Sequence, residues 1–167
     1  MKGLLRSIQR GGVRAAIQKM VLHKAGVALS IDGATGVGFG SAVIGDLPVG
    51  NILILGAVAY VQITEADAGI TDTFDGDVSI GSTATADATL SGTDVDIMPS
   101  TALGAATASV SPRVRGANAT QAILDNTDGS LELNLNVLID DAAISADDAV
   151  ASADVDLFLS YVVLGGD

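Results

Sequence analysis

From Gly26 onward, the apolar residues of this chain recur at every second position, in short runs separated by Gly- and Asp-rich turns. A period of two turns alternate side chains to opposite faces of an extended strand, so each run has one face to bury and one to expose. Val27, Leu29 and Ile31 alternate with Ala28 and Ser30, and Val37, Phe39 and Val43 follow after a glycine-rich turn. The run ILILGAVAYVQI at 52–63 is apolar apart from Gln62. It reads as a central strand covered on both faces, or as a strand bent at Gly56. Further strands are expected over 74–80 and 89–97, where Val95 and Ile97 would point inward and Asp94 and Asp96 outward. Two more are expected over 131–139 and 153–164, the first preceded by the turn DNTDGS at 125–130.

Helix is expected only locally: a short one over 118–124, and another opened by Ser145 as N-cap with Asp148 three residues on. Amphipathic helices of 10 to 15 residues do not alternate with the strands, which argues against a parallel βαβ series. The expected fold is all-β, an antiparallel β-sandwich of jelly-roll-like type with seven or eight strands, an immunoglobulin-like sandwich being the rival. Strand order stays open. The 167 residues suit one domain. With no Trp and five other aromatics, the core must be built from Val, Ile, Leu and Ala. The absence of cysteine removes disulfides, thiolate chemistry and cysteine-based metal sites.

Charge divides the chain into an arm, 1–24, and an acidic β-sandwich domain, 25–167. Lys2, Arg6, Arg10, Arg14, Lys19 and Lys24 place six cations and no carboxylate in the arm. The rest sets twenty carboxylates against Arg113 and Arg115, leaving −18 in a chain of net −12. Leu4, Leu5 and Ile8, then Ile17, Met20 and Val21, have helical spacing, interrupted by Gly11 and Gly12. The arm is therefore expected to be partly helical, or extended and ordered on binding. No apolar run reaches the ~18 residues of a membrane span, and a soluble protein is expected. An acidic body repels a duplex, so no nucleic-acid partner is expected either.

Catalytic groups are scarce. The single histidine, His23, lies in the arm, and no catalytic residue, cofactor or metal is assigned. The pairs Asp75/Asp77, Asp94/Asp96 and Asp154/Asp156 each put two carboxylates on one strand face. Such pairs could begin a calcium site or a glycosidase pair. The simpler reading is that aspartate occupies solvent-facing positions. The adjacent pairs Asp140/Asp141 and Asp147/Asp148 read likewise. The glycine run at 33–40 lacks the Lys-Ser/Thr ending of a phosphate loop. The arm cations, Lys2, Arg6, Arg10, Arg14, Lys19 and Lys24, are the candidate partner-binding residues, and no enzyme activity is expected.

Three stretches carry a resemblance: GDLPVGNILILGAVA at 45–59, TFDGDVSIG at 73–81 with GTDVDIMPSTA at 92–102, and ATQAILDNTDGSLELNLNVLIDD at 119–141. Together they resemble head decoration, or capsid cement, proteins of tailed bacteriophages. That resemblance implies a jelly-roll subunit on the outer surface of a virion. It also implies a homo-oligomer, a trimer being favoured, that bridges and stabilises major capsid protein subunits. The alternatives are another phage β-protein of tail, neck or fibre base, and a calcium- or sugar-binding surface module.

Overall fold

The structure is a computed structural model that describes residues 16–33, 36–118, 121–140, 143–144 and 148–164. Nine strands account for most of the described residues: β1 (Gln18–Asp32), β2 (Gly38–Asp46), β3 (Gly50–Glu65), β4 (Gly76–Gly81), β5 (Met98–Ala102), β6 (Val114–Asn118), β7 (Ala122–Asn126), β8 (Glu132–Ile139) and β9 (Asp148–Val163). Every pairing is antiparallel. The order runs β5-β4-β8-β2-β1-β9-β3-β6, with β7 also on β3.

Where β1 meets β2 the ladder consists of one pair, Asp32 with Phe39. The path therefore divides into two halves, β1-β9-β3-β6/β7 and β2-β8-β4-β5. First strand pairs with last, second with eighth, third with sixth and seventh, fourth with fifth. Such nesting is what a long antiparallel hairpin produces when rolled up on itself, and it is the jelly-roll order. The all-β, antiparallel, jelly-roll-like expectation holds.

The alternation of the sequence builds the core. From β9, Ala151, Ala153, Val155, Leu157 and Leu159 point inward, and from β3, Ile52, Ile54, Ala57, Ala59, Val61 and Ile63. They face Leu133, Leu135, Val137 and Ile139 of β8, Val78 and Ile80 of β4, and Phe74. A bulge between Ile54 and Gly56 resets the inward parity of β3, which accounts for the bend the sequence suggests there. Gly40 is needed for close approach: a Cβ there would lie 2.3 Å from the Ser30 carbonyl oxygen.

Four expectations change. Of the residues expected to be helical over 118–124, Asn118 ends β6 and Ala122 to Leu124 open β7, because both strands pair along the long β3 ladder; 119–120 lie outside the described residues. The strand expected over 89–97 does not form. Gly92, at φ +59, opens a single 3-10 turn to Asp94, and strand resumes only at Met98. Met20 and Val21, whose spacing fits a helix, lie on strand, the extended alternative for this part of the arm, since β1 pairs with β9 from Gln18. Finally, Asn134 and Asn136, which alternation places outward, are buried. The segment 82–97 lies over them: Asn136 accepts from Thr85 N at 2.9 Å and donates to the carbonyls of Thr83 and Asp94 at 3.0 Å each. The expected helix at Ser145 and most of the arm, with Lys2, Arg6, Arg10 and Arg14, lie outside the described residues.

Candidate interaction surface

All the lysine and arginine side chains among the described residues belong to one half of the jelly roll. Lys19 and Lys24 stand exposed on β1, Arg115 stands exposed on β6, and Arg113 precedes it. β1 and β6 are the outer members of the β1-β9-β3-β6 sheet. Antiparallel register then decides which side chains share its outer face. Val21, Phe158, Val58 and Ala117 form one row across the four strands, and His23, Asp156, Tyr60 and Arg115 the next.

The second row is knitted together by charge. His23 Nδ1 donates to Asp156 Oδ1 at 2.6 Å, while the other Asp156 oxygen accepts from Arg113 Nη2. The Arg113 guanidinium lies 5.9 Å from the centre of the Tyr60 ring, within reach of a cation–π contact. His23 meets Phe158 edge-on at 6.1 Å. The hydrogen bond from His23, helped by the charge of Arg113, holds the Asp156 carboxyl below the usual carboxylate range. Asp154 accepts from Gly26 N at 2.9 Å where β1 bulges. These groups surround a shallow cavity of about 200 Å³. Within it the His23, Asp156 and Arg113 side chains pair with one another as a surface cluster.

The apolar row borders an open groove of about 490 Å³, lined by Leu55, Val58, Arg115, Ala117, Phe158 and Ser160. Phe158 is 43% exposed at the centre of the sheet, in a chain with three phenylalanines. Alternation along 153–164 already puts Phe158 on the polar side of β9, a signal readable in the sequence. The His23–Asp156–Arg113 cluster was not readable, because it depends on the register of β1 against β9 and of β3 against β6.

Of the paired aspartates, Asp94 and Asp96 serve the fold. Asp96 accepts from Ser82 N and Oγ at 2.8 and 2.6 Å, and Asp94 from Thr83 Oγ1 at 2.9 Å. Burial, only partly offset by the Ser82 hydrogen bonds, raises the Asp96 carboxyl above its ordinary value. Asp75 and Asp77 have Asp140 beside them; burial and the two neighbouring carboxyls raise Asp140. Among the described residues no group of three or more His, Asp or Glu is arranged to hold a metal ion. Asp141 and the side chains of Asp147 and Asp148 lie outside the described residues.

No protein-family model matches this chain, and no curated protein sequence matches it. Among solved structures it is similar to a chain of the cyanophage Pam1 capsid asymmetric unit, at 19% identity and a TM-score of 0.41, over 91% of this chain and 88% of that one. It is also similar to a chain of infectious bursal disease virus, Gx strain, at 12% identity and a TM-score of 0.41, over 92% of this chain and 34% of that one. A third similarity is to infectious bursal disease virus VP2 in a subviral particle, at 13% identity and a TM-score of 0.38, over 89% and 33%. The chain thus spans about a third of the length of the two bursal disease virus chains. Overlaps this distant assign neither a family nor a role.

Proposed function

We propose that this protein is a structural subunit of a tailed-phage virion, an oligomer that decorates the outside of the capsid and bridges neighbouring major capsid subunits. The observation that carries the reading is the sorting of charge onto the fold. An acidic jelly roll keeps its described lysines and arginines on one sheet, and four more cations, Lys2, Arg6, Arg10 and Arg14, lead directly into its first strand. The resemblance to decoration proteins carried by 45–59, 73–81 with 92–102, and 119–141 fits the same role.

The physics of such a clamp is linkage. A subunit that binds across a seam between shell proteins adds buried area to the assembled state alone, and stabilises it in proportion to occupancy. A cationic segment steers that subunit toward an acidic shell, while the net charge of −12 limits non-specific aggregation. Several weak contacts borne by one oligomer act at high effective concentration.

The test uses shells assembled without the protein, incubated with full-length chain or with a variant lacking residues 1–15, and sedimented. Full-length protein is expected to pellet with shells and raise their melting temperature. The truncated protein is expected to load at least roughly tenfold more weakly, and the difference should shrink at high salt. Equal loading by both proteins would remove the arm from the mechanism. No loading by either would remove the decoration role.

A further inference from the structure

The outer face of the β1-β9-β3-β6/β7 sheet carries a charge pattern that is complementary to itself. β6 and β7 lie end to end along the same edge of β3, so their outward side chains form one strip. Along it run Arg115, Ala117, Ile123 and Asp125, opposite Tyr60, Val58, Leu53 and Asn51 of β3. One end is cationic, the other anionic, and the middle is apolar. Ile123 is 66% exposed there.

The spacing is symmetric about Gly56. In the β3–β9 ladder Leu55 is the extra residue of the bulge, so Ile54 and Gly56 occupy successive steps. Counted in those steps, Asn51 with Asp125 lies four before Gly56, and Tyr60 with Arg115 lies four after it, each about 13 Å away. Leu53 with Ile123 lies two before, and Val58 with Ala117 two after. A two-fold axis crossing the strands at Gly56, where no side chain projects, sets Arg115 of one copy on Asp125 of the other. It also sets Ile123 and Leu53 on Ala117 and Val58.

We propose that this face is a two-fold interface between copies of this chain, with Arg115 and Asp125 as its reciprocal ion pairs and the Leu53, Val58, Ala117, Ile123 and Phe158 surface as its apolar centre. Four strands over roughly 30 Å offer ~1,100 Å² across two copies, enough for a specific contact. Lys19 falls on the axis row at the open edge of β1, where its ammonium reaches solvent. That edge also brings the starts of both β1 strands together.

The experiment needs no shell and stands apart from the decoration role. Sedimentation equilibrium of the full chain at ~10 to 50 µM, a range matched to micromolar contacts, is expected to give twice the 16.6 kDa chain mass. Arg115→Glu or Asp125→Arg alone is expected to weaken the dimer at least roughly tenfold, and the double swap to return it to within about threefold of the original. Ile123→Arg, tested in parallel, is expected to give monomer with unchanged circular dichroism. A monomeric wild type, a three-chain mass, or single and double charge variants with equal affinity would each overturn the proposal.

Discussion

Asn136 joins two layers of the molecule through one amide. Its oxygen takes the buried Thr85 N–H and its nitrogen serves two part-buried carbonyls of the 82–97 segment. Asn136→Ala strands these groups without partners and is expected to cost about 2 to 4 kcal/mol, read by urea unfolding. Gly40 has no room for a side chain against Ser30, and Gly40→Ala is expected to cost about 1 to 3 kcal/mol by the same measurement. Asp96 works the other way. Its carboxyl is raised in the fold, so the folded state holds the proton more tightly, and stability from this group grows as pH falls through the raised value. Asp96→Asn is therefore expected to melt higher than wild type at pH 7, with an advantage that vanishes once wild-type Asp96 is protonated. A thermal melt series from pH 7 to pH 4 checks this. No advantage at pH 7 would mean that the Ser82 hydrogen bonds outweigh burial.

At the scale of elements, alternation was enough to locate β2, β3, β4, β8 and β9, because each has one face against a common core. It failed where a second layer covers the outer face. The asparagines of β8 look solvent-facing by period alone, and only the 82–97 segment, folded back over them, makes them interior. It failed again in the first half of β1, where Met20 and Val21 match a helix by spacing but pair with β9 as strand, whereas the alternation of Val27, Leu29 and Ile31 located the second half. Short apolar spacings are ambiguous between helix and strand, and tertiary pairing decides. Nor could the His23–Asp156–Arg113 cluster be read off, since it joins β1, β9 and the approach to β6 across register that no local pattern encodes. The ladder makes a testable distinction. Truncation of 1–15 leaves every β1–β9 pair in place and is expected to keep the melting temperature within a few degrees. Truncation of 1–24 removes the pairs from Gln18 to Lys24 and is expected to lower it markedly.

For the whole molecule, the decisive feature is polarity of charge on a rolled sheet. The cations lie on one sheet and on the segment entering it, and the carboxylates dominate the remainder. On the proposed reading, the two-fold face would join subunits and the cationic segment would grip the shell. The measurement that tests this most directly is a cryo-EM reconstruction of shells decorated with the full-length chain. It should show jelly-roll density outside the shell, over seams between major capsid subunits, with the start of β1 directed at the shell surface. Density confined to the tail or a vertex, or a β1 start pointing into solvent, would contradict it.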